Sequence, residues 1–242
     1  DFHPKHNVNV PQGMKLSPLL WRLTGDERHR SAFGVASERL NREHGTPFGM
    51  WAGAEMLCGR SIAAGVETCS TVEYLLSADV AMRTLGESAI GDAAELAAFN
   101  ALPAATSREF RAHVYYTIAG DVRATAGVVG HNDDHGDDRV PGPISGYPCC
   151  CYNLHMGLPK LVRNAWAATP DGGLAALVWL PTEVDLPNGS GRLVCDTEYP
   201  FDETIRLSVE GEGSFPLLLR IPGWCAEPRV TVNGEAVAAT PG

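Results

Sequence analysis

The spacing of apolar residues changes once along this chain, near Thr169-Pro170-Asp171-Gly172-Gly173, and that change limits the folds open to it. Before it, helical spacing dominates. Leu16 to Leu23 reads as a short apolar helix, and Asp26 to Glu43 as an amphipathic one stopping at His44-Gly45. A third helix runs from Glu67 to about Thr84, with Val72, Leu75, Leu76, Val80 and Met82 at three-to-four spacing. Ala93 to Leu102 repeats the pattern with small residues until Pro103, and Cys151 to Ala168 forms a last helix around Leu154, Leu158, Leu161, Val162 and Trp166. After the change the period falls to two. Leu174–Pro181, Gly191–Tyr199, Thr204–Val209 and Pro216–Ile221 read as short strands, and Arg229 to Glu235 as a strand entering an Asn233-Gly234 hairpin turn. Trp224 and Cys225 are placed in the core of this β part. Helices followed by strands predict two domains, residues 1–169 and 170–242, mainly α and then β.

Composition narrows the function. With 242 residues, 44% hydrophobic and 20% charged, the chain is globular in character. Its net charge of −10 argues against nucleic acid, which needs a basic face, and gives no reason to expect an anionic membrane. No run approaches the ~18 apolar residues of a spanning helix. The first residues, Asp1-Phe2-His3, carry no Met, no signal pattern and no capping signal, so the chain reads as a piece of a longer protein. The abrupt end at Pro241-Gly242 leaves the β part cut short as well, with open strand edges.

Seven cysteines, three of them contiguous, make a poor disulfide framework. Reduced or metal-protected thiols fit better, which leans localisation towards the cytoplasm. Cys149, Cys150 and Cys151 follow Gly146-Tyr147-Pro148, and a second short motif, Glu67-Thr68-Cys69, lies upstream. Adjacent cysteines pair only through a strained ring, because a relaxed disulfide wants Cα atoms about 4.4–6.8 Å apart. Two thiolates facing one soft metal explain the pair better, and Glu67, Cys69, Cys149 and Cys150 would make one tetrahedral zinc set. In a regular helix Glu67 and Cys69 point roughly 200° apart, so sharing a metal needs an irregular first turn. Taken alone, they also read as a dipole-favoured glutamate and a small buried cysteine.

Three further places carry chemistry or its appearance. Glu55, in Gly49-Met50-Trp51-Ala52-Gly53-Ala54-Glu55, reads as a general acid or as a surface carboxylate. His6, just ahead of a helix, reads as a surface or cap histidine. Asn132-Asp133-Asp134-His135-Gly136-Asp137-Asp138 is rich in oxygen donors, but it lacks the spaced calcium-loop pattern and reads as a solvated acidic loop.

These motifs resemble those of glycoside hydrolase family 127, the β-L-arabinofuranosidases. The resemblance rests on Leu23-Thr24-Gly25-Asp26, Glu67-Thr68-Cys69, Cys149-Cys150-x-x-Asn153 and Leu219-Arg220-Ile221-Pro222-Gly223-Trp224, in the family's order. It implies the later part of an (α/α)6 barrel followed by part of a β-sandwich, with zinc bound by Glu67, Cys69, Cys149 and Cys150. It also implies Cys149 as nucleophile of a retaining glycoside hydrolase, Glu55 as acid/base and His6 as a sugar contact. The chain departs from the family's best-known enzymes after the cysteine pair, where Cys151-Tyr152 replaces two prolines, and in the loop of the acid. The partner implied is a carbohydrate, with a homodimer left open, and this piece alone is expected to be inactive. Two rival classes stand beside the enzyme. One is a carbohydrate-binding or scaffold protein with a structural zinc. The other is a thiol redox protein, which lacks a Cys-x-x-Cys and a βαβ pattern here.

Overall fold

A computed structural model describes residues 5–121, 123–127, 136–187 and 189–240. Asn132, Asp133, Asp134 and His135 of the acidic loop lie outside the described residues.

The helical part begins with three helices, α1 (Asn9–Met14), α2 (Leu16–Thr24) and α3 (Glu27–His44). Gly25 takes φ +70° to end α2 and Asp26 accepts from the Arg28 amide at 2.9 Å to start α3, so Thr24-Gly25-Asp26 is a stop followed by a start. β1 (Gly65–Glu67) leads straight into α4 (Thr68–Leu85). Most of α4 is buried, from Thr68 through Leu85, so it is the central helix, against which α1, α2 and the later helices pack. β2 (Tyr116–Ile118) lies antiparallel to β1, with Glu67 opposite Tyr116. No helix among the described residues is long and apolar enough to cross a membrane.

Two helices differ from the pattern read from sequence. The segment around Ala93 to Leu102 begins earlier, as α5 (Ser88–Leu96), widens into a π-turn at Ala97–Ala101 and closes as α6 (Leu102–Ala104). The Leu102 amide reaches back five residues to the Ala97 carbonyl, and Pro103 begins the last turn instead of ending the helix. The final helix, α7, spans Pro148–Arg163, three residues earlier at its start and five earlier at its end than expected. Pro148 presets the first turn, and all three adjacent cysteines therefore lie inside the helix. Trp166–Ala168 is a strand, β3, because its apolar residues suit period two as well as period 3.6.

Among the described residues the strands form small antiparallel groups with one parallel pair. β3 pairs with β4 (Leu174–Ala176), and β4 pairs in parallel with β8 (Leu217–Leu218). β5 (Thr182–Asp185), β6 (Gly191–Thr197) and β7 (Ile205–Gly211) form a meander. β9 (Val230–Val232) and β10 (Glu235–Val237) close on Asn233 and Gly234, both with positive φ, which is the hairpin read from sequence. One apolar core runs from Phe33, Trp51 and Leu75 to Trp166, Trp179 and Leu193. Trp224 is not part of it. It is half-exposed and stacks on Tyr199 with ring centroids 6.4 Å apart, because it follows a Pro-Gly turn instead of standing on a strand.

Candidate metal-thiolate site

The starts of α4 and α7 converge, and with them the two cysteine motifs. Glu67 is the last residue of β1 and caps α4 with extended backbone angles, φ −68° and ψ 134°. It is therefore not helical, which removes the opposition between Glu67 and Cys69 that a regular helix would impose. Cys69 lies in the first turn of α4, and Cys149 and Cys150 lie in the first turn of α7. One ligand atom from each of the four falls within 4.8 Å of all the others. The Cys69 and Cys150 sulfurs are 3.2 Å apart, and Glu67 Oε1 lies 3.8 Å from Cys150 Sγ and 3.9 Å from Cys149 Sγ. Glu67, Cys69 and Cys150 are buried while Cys149 is exposed. Cys149 is the cluster's solvent-facing member.

Its electrostatics are those of donors waiting for a cation. Burial, then the charges of Glu55 and Cys149, push the Glu67 carboxyl up from 4.5 to about 9. Burial and the neighbouring thiol raise Cys150 well above the ordinary thiol range. Hydrogen bonds from Cys150 and Cys69 hold Cys149 well below it. Glu67 Oε2 is buried with no hydrogen-bond partner, a costly arrangement that a metal ion would relieve. Three thiols and a carboxylate at these separations suit zinc, which accepts sulfur and oxygen donors tetrahedrally. Two helix N-termini at one point favour the anionic donors further.

Glu55 and His6 stand beside the cluster and touch each other. His6 Nε2 lies 3.3 Å from Glu55 Oε2, while His6 Nδ1 accepts from the Asn9 amide at 3.2 Å. His6 therefore accepts from the first amide of α1 and also contacts Glu55. The other Glu55 oxygen accepts from the Tyr115 hydroxyl. Nearby, the Asn7 amide nitrogen donates to the Gly53 carbonyl and the Asn7 backbone donates to the Glu55 carbonyl at 2.8 Å, fixing the acid's loop.

Tyr115 was not singled out in the sequence. Its backbone carbonyl lies 3.6 Å from Cys150 Sγ and accepts from the Thr68 amide at 2.9 Å, while its hydroxyl holds Glu55. It joins the acid to the thiols from a segment 46 residues after Cys69, with no motif around it to mark it. Gly146 lies against it. Its φ is +59°, and a Cβ there would meet Asp138 Oδ1 at 2.2 Å and Tyr115 Cβ at 2.7 Å. Cys151 is outside the four-residue group and lines a cleft of about 710 Å³ with Phe99, Leu102 and Leu154.

Comparison with known proteins bears out the resemblance read from the motifs. Residues 173–242 match the β-L-arabinofuranosidase, glycoside hydrolase family 127 middle domain. The chain is similar in structure to a family 127 β-L-arabinofuranosidase from Geobacillus stearothermophilus T6, with TM-score 0.72, 21% identity and coverage of 96% of this chain and 38% of that one. It is also similar to a protein described as a glycoside hydrolase, with TM-score 0.76, 18% identity and coverage of 98% and 43%. A family 127 β-arabinofuranosidase matches with TM-score 0.70, 19% identity and coverage of 97% and 39%. The likeness at these identities is one of fold, and the chain spans about two fifths of these relatives. No curated protein sequence matches it.

Proposed function

We propose that this chain carries the thiol-centred active site of a retaining glycoside hydrolase acting on β-L-arabinofuranosides or a closely similar sugar. Residues 1–169 form the later part of an (α/α)6 barrel and residues 170–242 part of a β-sandwich. The observation that carries the reading is the exposure of Cys149 beside an otherwise buried Glu67–Cys69–Cys150 set, with the Glu55–His6 pair next to it.

Glu67, Cys69, Cys149 and Cys150 would hold the zinc. Bound there, zinc keeps the thiols deprotonated at neutral pH, where a free thiol of pKa about 8.5 is mostly protonated. The Cys149 sulfur attacks the anomeric carbon as the glycosidic C–O bond breaks, and Glu55 gives its proton to the departing oxygen. Glu55, then ionised, takes a proton from water, which displaces the sulfur and releases the sugar with retained configuration. Tyr115 and His6 orient the two oxygens of Glu55, and His6 presents its imidazole edge to the sugar. Glu67, Cys69 and Cys150 would hold the ion while Cys149 is engaged with the sugar.

The test is incubation of the purified, zinc-loaded full-length enzyme with an arabinofuranose carrying a thiol-reactive group at its anomeric position. Mass mapping is expected to find the label on Cys149, with aryl β-L-arabinofuranoside hydrolysis lost in proportion. Label on Cys151 overturns the assignment. Four unreactive, metal-bound donors would leave a structural zinc site in a scaffold protein.

A further inference from the structure

We propose that the same cluster has a second, oxidised state when it holds no metal, in which a peroxide-class oxidant joins Cys69 to Cys150 as a disulfide and dismantles the ligand set. The inference concerns regulation of the proposed site and rests on reading the cluster as a metal centre.

The choice of pair follows from geometry. The Cys69 and Cys150 sulfurs are only 3.2 Å apart. Cys149 and Cys150 are neighbours in one helical turn, and a bridge between adjacent residues is strained. Cys151 lines the cleft beside Phe99 and Leu154 and is absent from the four-residue group. A Cys69–Cys150 bond would tie the start of α4 to the start of α7, two helices already packed together, so the backbone needs little movement to accept it.

Cys69 and Cys150 are buried, so an oxidant from solvent meets Cys149 first. Hydrogen peroxide passes one oxygen to the Cys149 sulfur, its O–O bond breaks, and one water leaves, giving a sulfenic acid. The Cys69 sulfur displaces that oxygen, which departs as a second water with the Cys69 proton. Cys150 then attacks the Cys69 sulfur, and the electron pair and proton return to Cys149. In sum, two thiols give two electrons and two protons, and one peroxide becomes two waters. Only Glu67 and Cys149 remain as donors, too few for a tetrahedral zinc site. A bound metal occupies the same sulfurs and blocks the reaction, and thiol reductants restore the set.

The test uses the metal-free chain, one equivalent of hydrogen peroxide, alkylation and peptide mass mapping, with a zinc-loaded sample beside it. Of the seven cysteines, two are expected to lose alkylation in the metal-free sample, with a peptide holding Cys69 linked through Cys150, two hydrogens lighter than the reduced pair. The zinc-loaded sample should retain its thiols, and Cys150→Ser, which lacks the resolving thiol, should leave Cys69 linked through Cys149 instead. A bond from Cys69 to Cys151, or oxidation confined to Cys149 with Cys69 and Cys150 still alkylated, overturns the proposal. The assay follows thiols and needs no turnover. Failure of the full-length enzyme to hydrolyse a glycoside would sink the functional reading and leave this result standing, and the reverse holds as well.

Discussion

Arg220 reaches from the β part of the chain to Glu95 on α5, and both side chains are almost wholly buried, 5% and 4% exposed. The same guanidinium pairs with Asp92 and donates from Nε to the Leu177 carbonyl at 2.8 Å. Glu95 is used from both sides, accepting from the Trp179 amide at 2.8 Å and from the Tyr199 hydroxyl at 2.7 Å. Asp92 also accepts from the Gly223 amide at 2.8 Å. The Arg220-Ile221-Pro222-Gly223 stretch is thus a polar clamp that holds the strands onto the helix carrying the π-turn.

Breaking the clamp from one side should be costly. Arg220→Met leaves Glu95 buried without its cation and should lower stability by about 3–5 kcal/mol in urea titration. Adding Glu95→Gln removes the orphaned charge and keeps an acceptor for Trp179, so the double variant should regain at least half the loss. Equal stability for the single and double variants would show that the buried charge is not what the pair neutralises.

Gly146 is a second fixed point. With φ +59° and its Cβ position filled by Asp138 and Tyr115 atoms, Gly146→Ala combines backbone strain with a clash. A loss of about 1–3 kcal/mol is expected. Tyr115 should also shift, read as altered tyrosine signals in near-ultraviolet dichroism. Gly172→Ala, at φ +82° but in open space, is the control: it should cost about 1 kcal/mol and leave those signals unchanged.

What the sequence revealed and what it hid follow from the range of the forces involved. The hairpin at Asn233-Gly234 was legible because its two positive φ angles are a local demand. The grouping of the four donors was legible because Cys149 and Cys150 are adjacent, and two such thiols suggest a shared partner. The geometry of Glu67 was not, since its escape from α4 depends on pairing of β1 with a strand some fifty residues later. Tyr115 was hidden for the same reason. The end of α7 was misplaced because Trp166 fits either period, and only pairing with β4 decides between them.

Tyr115→Phe separates the acid's positioning from the thiol cluster. It deletes the hydroxyl that donates to Glu55 while keeping the ring, which packs at 6.4 Å from Tyr147. Under the proposed mechanism kcat of the full-length enzyme should fall by about 10–100-fold, and zinc content should stay unchanged. Loss of zinc in this variant would place Tyr115 in the metal site instead.

The pH dependence of the metal-free protein tests the carboxyl of Glu67. Its folded pKa is raised from 4.5 to about 9, chiefly by burial, so the folded state holds a proton that the unfolded chain releases. The stability tied to that proton is full below the unfolded value and is lost as pH rises towards the folded one. Each pH unit inside the window removes at most about 1.4 kcal/mol. For a chain of this size that lowers Tm by about 3–5 °C per unit. From about pH 6 to about pH 8, metal-free protein should therefore melt progressively lower, by about 5 °C or more in all. Glu67→Gln, which cannot ionise, should give a flatter curve and lie above the parent at the alkaline end. With zinc bound the carboxylate is the wanted form, so the slope should vanish or reverse. Calorimetry on the three samples decides it: parallel curves for the parent and Glu67→Gln would mean that Glu67 is ionised in the metal-free fold, and that the cluster does not couple metal uptake to proton release.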